Sequence, residues 1–292
     1  MGIRAGRVIG DRRLPAVAGI FYESREEALR AQIEWAFRHP IGPGALPSTS
    51  EERVRATNAY VSPHAGYPYS GPVAAHVYYN VAKEGLADTY VIIGPNHTGL
   101  GDRVSVYPRG RWVTPLGEVE VDGELATQLV KESAYASPDE VAHLYEHSVE
   151  VQVPFLQYIF GSKVRILPVV VYEQTLEVAR DLAHAINAAA EKLGRDAVVI
   201  ASSDFTHYEP HEKAVEKDSI AIEHIKRLDS EGLYKAIAKY NITMCGPAPV
   251  MAAIEYNKLR GGSVGELLKY ATSGDTSGEK SSVVGYAAIR LY

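Results

Sequence analysis

Short apolar runs alternate along this chain with longer amphipathic stretches. Four runs have the length and composition of buried strands: NAYV, TYVIIG, VRILPVVVY and DAVVIAS. Three of the stretches between them read as helices: GPVAAHVYYNVAKEG, HSVEVQVPFLQYIF and TLEVARDLAHAINAAAEKLG. Buried runs that alternate with amphipathic helices are typical of an α/β protein built on a mainly parallel sheet. We therefore predict this fold class.

Two segments depart from the alternation. Residues 102–123 contain short alternating runs and turn residues, which predict a hairpin inserted in the α/β framework. Residues 263–292 predict two strands around a loop rich in glycine and serine. The sequence shows no repeat of fixed period. The simplest organisation is a single domain over residues 1–292, with residues 1–13 as a flexible N-terminal extension.

The composition narrows the classes of function. The 292 residues are 46% hydrophobic and 23% charged, the balance of a globular protein with a sizeable core. A net charge of −6 with scattered Lys and Arg argues against a nucleic-acid partner. No apolar run approaches the roughly 20 residues that a membrane span requires. The N-terminus also lacks the continuous apolar region of a signal peptide.

The cysteine count bears on the compartment. The single cysteine, Cys245, cannot form an intramolecular disulfide, so we expect a cytoplasmic location. The scarcity of Asn, Gln, Met and Cys is typical of a heat-adapted source.

Three histidines follow three of the apolar runs. His64 lies in SPHAG, His97 in GPNHTG and His207 in SSDFTH. Ligands of open α/β sheets bind beyond the carboxyl ends of the strands, so these side chains are predicted to face one site. For any one of them, the alternative is a loop histidine whose ring is satisfied by backbone groups.

Cys245 is a further candidate. It precedes Gly-Pro in ITMCGPAPV, which suits the N-terminus of a helix. The helix dipole favours a thiolate there, and a thiolate can bind a metal or act as a nucleophile paired with a histidine. The alternative is an inert buried cysteine.

The segment HLYEH, residues 143–147, fits the H-x-x-E-H pattern of inverted zinc peptidases. On a helix, His143 and His147 would share one face with Glu146 beside them. The match is only five residues long, and no helix with a carboxylate ligand is evident downstream. In the alternative hypothesis, Glu146 and His147 open a helix whose start faces the strand-end site.

Asp204 and Tyr67 complete the candidates. Asp204 lies three residues before His207 and could fix the tautomer of that histidine. An Asx-turn or a helix cap is the alternative. Tyr67 follows His64 closely and is predicted to line the same pocket, the alternative being an exposed turn tyrosine.

Six segments taken together resemble the Memo family. They are SPHAGYPYSGPVAA, GPNHTG, YEHSVEVQVPFLQY, SSDFTHY, CGPAPV and SSVVGYAAI, which occur in that family's order from about residue 14 to the C-terminus. The resemblance implies a fold like that of the class III extradiol (LigB-type) dioxygenases, a three-layer α/β sandwich with a central, mainly parallel mixed sheet. It also implies a site: metal ligands His64, His97 and Cys245, catalytic residues His207 and Asp204, and pocket residues Glu146, His147 and Tyr67.

The resemblance further implies one transition metal ion, iron before copper or zinc. Extradiol dioxygenases hold Fe(II) with two histidines and a carboxylate, whereas here a thiolate would replace the carboxylate. We therefore predict a metal-dependent oxidoreductase acting on an unknown small molecule or peptide, without implying ring cleavage.

Two other functions stay open. One is a non-catalytic module that holds a peptide or partner protein in the same pocket, and the family implies AMMECR-type and radical SAM proteins as partners. The other is a hydrolase or transferase that uses Cys245 and His207.

Overall fold

The computed structural model describes residues 8–292. The strands of this range are β1 Val8–Ile9, β2 Arg12–Arg13, β3 Ala59–Ser62, β4 Thr89–Pro95, β5 Val104–Val106, β6 Arg111–Thr114, β7 Gly117–Val121, β8 Ala136–Pro138, β9 Arg165–Val171, β10 Ala197–Ser202, β11 His207–Glu209, β12 Gly265–Thr272 and β13 Val283–Leu291. Its helices are α1 Glu26–Arg38, α2 Tyr67–Glu84, α3 Gly123–Glu132, α4 Val153–Phe160, α5 Leu176–Leu193, α6 His211–Lys226, α7 Ser230–Tyr240, α8 Pro247–Leu259 and α9 Ser273–Ser277. Short 3₁₀ turns lie between β8 and β9, at Val141–His143, Glu150–Gln152 and Gly161–Lys163.

Four parallel strands form the centre of the sheet. The strands β9, β4, β10 and β3 lie side by side in that order, so their carboxyl ends meet at one edge. Strand β7 extends this group in parallel beside β9, and β13 runs antiparallel beside β3. The sheet is therefore mixed but mainly parallel, as predicted.

Helices cover both faces of the sheet. Tyr90 and Ile92 of β4 belong to the core formed with α1, α2 and α4, whereas Val91 and Ile93 belong to the core formed with α3, α5 and α8. This division follows from the two-residue period of a strand. The predicted three-layer α/β sandwich is confirmed. Within residues 8–292, no helix is long and apolar enough to cross a membrane.

The segment predicted as one inserted hairpin forms two structures. Strands β6 and β7 make the hairpin, with Thr114 paired to Gly117 across the turn. Strand β5 instead pairs antiparallel with β9 and parallel with β8. All three residues of β5 are buried, so this run is an interior strand and not half of an exposed hairpin. The two predicted C-terminal strands are present and pair antiparallel, and α9 lies in the loop between them.

The predicted extension over residues 1–13 lies only partly within the structure. Residues 1–7 fall outside the described residues, whereas residues 8–13 contain β1 and β2. Strand β2 pairs in parallel with β6, and the Arg13 side chain is fully buried. The end of this segment is therefore packed into the domain.

Candidate metal centre

Three histidines meet at the carboxyl edge of the parallel strands. His64 lies two residues after β3, His97 two residues after β4, and His147 in the segment that leads to α4. Each offers a ligand atom within 4.8 Å of those of the other two. The ring centroids are 5.2 Å apart for His64 and His97, 5.3 Å for His64 and His147, and 4.5 Å for His97 and His147. We call these residues the three-histidine cluster.

Ser202, the last residue of β10, fixes the orientation of His64. The Ser202 hydroxyl donates its one hydrogen to the Ser148 carbonyl at 2.7 Å and accepts one from Gln152 Nε2 at 2.9 Å. Since the same oxygen lies 2.8 Å from His64 Nδ1, Nδ1 carries a hydrogen and donates it. This tautomer leaves Nε2 of His64 without a hydrogen, so its lone pair can bind a metal.

Glu146 holds the other two histidines. Its Oε1 lies 2.8 Å from Nδ1 of His97 and 3.6 Å from Nδ1 of His147. The carboxylate also accepts the backbone N–H groups of His97, His147 and Ser148. Burial raises the pKa of Glu146, but the hydrogen bonds and charges of His97 and His147 outweigh burial and bring the pKa to about 2. An ionised Glu146 accepts the Nδ1–H of His97 and leaves Nε2 of His97 free.

The three imidazoles differ in charge preference. Burial, and then the neighbouring histidines, hold the pKa of His64 well below its usual range. Burial also lowers the pKa of His147, to about 4, despite the Glu146 charge. Burial lowers the pKa of His97 too, but the hydrogen bond and charge of Glu146 outweigh it and the net pKa shift is upward. At neutral pH, His64 and His147 are therefore in the neutral form that metal binding needs.

His147 occupies a position that the sequence assigned to a pocket wall. Its ring stacks on Phe21 with centroids 4.4 Å apart and on His97 with centroids 4.5 Å apart, so two rings hold its orientation. The motif YEHS contained the signal, because it places a histidine directly after the carboxylate that binds His97. Strand-end spacing alone does not select this residue, since the preceding strand, β8, ends nine residues earlier, at Pro138.

Cys245, a predicted metal ligand, lies against the cluster and outside the compact group of three. Its Sγ is 3.1 Å from His64 Nε2, and it accepts the Asp204 N–H at 3.2 Å. Burial, and then the Asp204 charge, raise the pKa of the thiol. A thiol held in the protonated form is a poor nucleophile. This counts against the hydrolase hypothesis and leaves Cys245 as an adjoining donor.

Asp204 makes a long-range contact, not a local turn. Its Oδ1 accepts the backbone N–H of His64 at 2.8 Å, which ties the loop after β3 to the loop after β10. Burial raises the pKa of Asp204 to about 6, although the His64 N–H bond opposes this shift. The carboxylate thus positions His64, and it forms neither the contact predicted with His207 nor the alternative Asx-turn or helix cap.

His207 is oriented by Thr243, and not by Asp204 as predicted. The His207 Nδ1 lies 2.8 Å from the Thr243 carbonyl, and the His207 backbone N–H donates to Thr243 Oγ1 at 2.7 Å. Since a carbonyl can only accept, Nδ1 carries the hydrogen and Nε2 is left as an acceptor. The side chain is partly exposed, beside Tyr208, whose backbone has φ of 59°.

His143 is a core residue, so the peptidase pattern is not realised. Residues 141–143 form a single 3₁₀ turn, and residues 144–147 are not helical. The His143 ring is fully buried between Tyr107 and Trp112, with Nε2 3.1 Å from the Ser105 carbonyl. Burial, followed by the Arg13 charge, lowers the pKa of His143 to about 3. His143 and His147 therefore do not present a shared ligand face.

Tyr67 also lies in the core and not on a pocket wall. It is the first residue of α2 and only 2% exposed. Its hydroxyl donates to the Val151 carbonyl at 2.6 Å, and its ring packs against Tyr22 and Phe155. Its contribution to the site is indirect, through the segment that precedes α4.

A large surface groove lies away from the cluster. It measures about 910 Å³ and runs along β6, β7 and α3, lined by charged residues that include Arg109, Asp122 and Arg195. Arg195 is paired with Asp122 and with Glu124 there. None of the candidate site residues lines this groove, and it holds no histidine. The chemistry is concentrated at the three-histidine cluster.

Comparison with known proteins finds similarity over nearly the whole chain. A family model described as Memo-like protein matches residues 13–290. A relative from Sulfurisphaera tokodaii is 54% identical over 285 residues, covering 96% of this chain and 99% of the relative. A relative from Ignicoccus hospitalis is 56% identical over 279 residues, covering 96% and 98%. Both are named MEMO1 family protein.

A solved structure also matches in part. It is described as the crystal structure of uncharacterized protein JW3007 from Escherichia coli K12 and is 11% identical to this chain. The match covers 80% of this chain and 99% of that one, with a TM-score of 0.49.

Proposed function

The chain belongs to the Memo family, and we propose that it binds one transition metal ion at the three-histidine cluster and acts as an oxidoreductase on a small molecule or peptide. The observation that carries this proposal is the convergence of His64, His97 and His147 at one sheet edge. Two of the rings have Nδ1 engaged by Ser202 and Glu146, so their Nε2 atoms are available as ligands. This arrangement is how proteins orient metal-binding histidines.

The donor set fits a transition metal. Imidazole nitrogen suits zinc, copper and iron, and a thiolate adds a soft donor that favours copper(I) and zinc. Cys245 stands 3.1 Å from His64 Nε2 and is our candidate for a further donor. The preference for iron rests on the family resemblance to non-haem dioxygenases. When bound, iron or copper would supply one-electron chemistry that no side chain of the cluster provides.

The chain's own residues would orient the reactants and carry protons. Glu146 and Ser202 hold the imidazole tautomers, and Asp204 ties the loop of His64 to the loop after β10. His207 presents Nε2 as the proton acceptor, because Thr243 occupies its Nδ1 hydrogen. The partial exposure of His207 suits a residue that meets a substrate arriving from solvent.

A Co(II) titration of the metal-free chain tests the metal site. We expect one tight site in the unchanged chain and its loss in the His64→Ala, His97→Ala and His147→Ala variants. His184→Ala is the matched control, because His184 is an exposed histidine on α5. A sulfur-to-cobalt charge-transfer band that disappears in Cys245→Ser would establish Cys245 as a donor. Equal Co(II) binding by the chain and all three cluster variants contradicts the proposal.

The redox role has its own test. The iron-loaded chain is reduced with ascorbate and reoxidised by oxygen, with Fe(II) measured by a colorimetric chelator after each step. We expect stoichiometric, repeatable cycling of bound iron. If the chain binds zinc tightly but neither bound iron nor bound copper cycles between oxidation states, the metal site is supported and the redox role is contradicted.

One observation favours the binding-module function as a second candidate. Tyr69, Tyr145 and Tyr208 are each at least 48% exposed and lie close in sequence to site residues. Exposed tyrosines are common anchors of protein interfaces. Tight binding of tyrosine-containing peptides to metal-free His147→Ala, lost in Tyr208→Ala, would support this candidate. The AMMECR-type and radical SAM partners implied by the resemblance stay predictions.

A further inference from the structure

Arg13 is a fully buried charged side chain that contacts the segment next to the three-histidine cluster. Its guanidinium pairs with the Glu150 carboxylate and stacks on the Trp112 ring at 4.2 Å. Its Nε and Nη2 donate to the His143 carbonyl at 3.1 and 2.7 Å, and Nη2 also donates to the Glu146 carbonyl at 3.0 Å. One side chain thus binds two carbonyls of the segment that carries Glu146 and His147.

Glu150 connects this contact to the N-terminal part of the chain. Its carboxylate accepts the backbone N–H groups of Ala16 and Val17 at 2.8 and 3.0 Å, and the Tyr22 hydroxyl at 2.7 Å. The stretch that follows includes Phe21, which stacks on His147. The Arg13–Glu150 pair therefore sits between the N-terminal stretch and the site segment, and contacts both.

The site segment has little regular structure of its own. Between the 3₁₀ turns Val141–His143 and Glu150–Gln152 no strand or helix holds residues 144–149. Ser148 is tethered by its hydroxyl to the Pro95 carbonyl at 3.1 Å and by its carbonyl to Ser202. Arg13 supplies the corresponding tethers on the other side, at the carbonyls of His143 and Glu146. Removing them should loosen the placement of Glu146 and His147.

We propose that Arg13 is a positioning residue of the candidate metal centre, which fixes the 143–148 segment so that Glu146 and His147 stand beside His97. Only the predicted effect on metal binding rests on the proposed function; the effect on the position of the segment does not. A buried charged residue is costly unless its hydrogen bonds are made, and here the planar fork of arginine reaches two carbonyls and a carboxylate together. Lysine cannot reproduce that geometry.

The test compares variants that lose the hydrogen bonds from Arg13 to the two carbonyls with variants that lose only an ion pair. Arg13→Met with Glu150→Gln removes both charges, so no unpaired charge is left buried, and it removes the donors to the two carbonyls. Glu150→Gln alone keeps those donors. Arg290→Met is the control for loss of another ion pair, that with Glu84, near the amino end of β3. Arg13→Lys tests whether charge without the fork restores function.

Two measurements are made on each folded variant: amide hydrogen exchange at His147 and Ser148, and Zn(II) affinity by competition with a chromophoric chelator. The double variant should exchange these amides at least tenfold faster and bind Zn(II) at least tenfold more weakly. Glu150→Gln should lie between it and the unchanged chain, Arg13→Lys should rescue only partly, and Arg290→Met should stay within about twofold of the unchanged chain.

Unchanged exchange in the folded double variant overturns the proposal, as does an equal effect of Arg290→Met. If the unchanged chain binds no Zn(II), the proposed metal site fails, and the exchange rates still decide the role of Arg13.

Discussion

The Glu146 carboxylate accepts the Nδ1–H of His97 at 2.8 Å, and the same oxygen lies 3.6 Å from Nδ1 of His147. One buried carboxylate therefore orients the imidazole of His97 and holds His147 through its backbone N–H. Its pKa of about 2 keeps it ionised, because the contacts from both histidines outweigh burial.

Glu146→Gln tests this shared role. The amide has one acceptor oxygen instead of two and turns an NH₂ group towards N–H donors, so the His97 ring loses its fixed orientation and the backbone N–H groups of His97, His147 and Ser148 lose acceptors. We expect Zn(II) affinity to fall by roughly 10- to 100-fold, the usual cost of removing such a partner. Chelator competition measures it. Glu140→Gln, on the same stretch but away from the cluster, is the control, and an equal effect there would refute the assignment.

The thiol of Cys245 should react slowly in the metal-free protein. Burial raises its pKa, and its neighbours are His64 Nε2 and the Asp204 N–H. We expect iodoacetamide to alkylate Cys245 at least about tenfold more slowly than free cysteine at pH 8, because the thiolate is the reactive form. Mass spectrometry gives the rate. Fast labelling at pH 7 would revive the Cys-dependent hydrolase hypothesis.

His143 should make the protein less stable on acidification. Its pKa is about 3 in the folded chain against 6.5 in the unfolded chain. Below about pH 6.5 the unfolded chain binds a proton that folded His143 refuses, so this contribution is lost as the pH falls towards 3. Between about pH 7 and 4.5 the loss is about 2.5 kcal/mol.

The measurement is the free energy of unfolding by urea at several pH values. His143→Phe removes the titrating group at the cost of one hydrogen bond, so its stability is lower at pH 7 but falls less steeply with acid. The groups that face His143 are Arg13, Asp139 and Glu146. An identical pH slope in the variant and the unchanged chain would show that His143 is not the titrating group.

Gly94 of β4 should tolerate no side chain. A Cβ there would overlap Ser148 Oγ and lie 2.9 Å from Ser148 Cβ. Ser148 directly follows His147 in the chain, so the overlap would also displace that ligand. We expect Gly94→Ala to cost about 1–3 kcal/mol of unfolding free energy by overpacking and to weaken Zn(II) binding. Gly66→Ala is the control, since φ is −56° and the nearest atom to its Cβ is 3.6 Å away. Equal stabilities of the two variants would contradict this account.

The α/β architecture was readable because its strands are buried on both faces. Runs such as TYVIIG carry no polar alternation, which is typical of central parallel strands covered by helices. The prediction for the run around Val104 was wrong because the strands that pair with this run and bury it are not its neighbours in the sequence. Its partners, β8 and β9, come later in the chain, and local turn residues suggested a nearer one.

The sequence predicted as ligands those histidines of the cluster that directly follow strands, and it did not predict the other. His64 and His97 obey that rule. His147 does not, because the segment around it is held by Arg13 and Ser202, which lie more than 50 residues away in the chain. Tyr67 lies near His64 in the sequence, but its side chain is in the core because it is the first buried residue of α2. Long-range tethers of this kind leave no local pattern.

A crystal structure of the anaerobically prepared protein, with the metal identified by anomalous scattering, tests the central claim most directly. The account predicts one transition-metal peak about 2.1 Å from ring nitrogens of His64, His97 and His147. It also predicts that Nδ1 of His64 and of His97 remains bound to Ser202 and Glu146. A fully metallated protein whose peak lies away from these three rings would contradict the account.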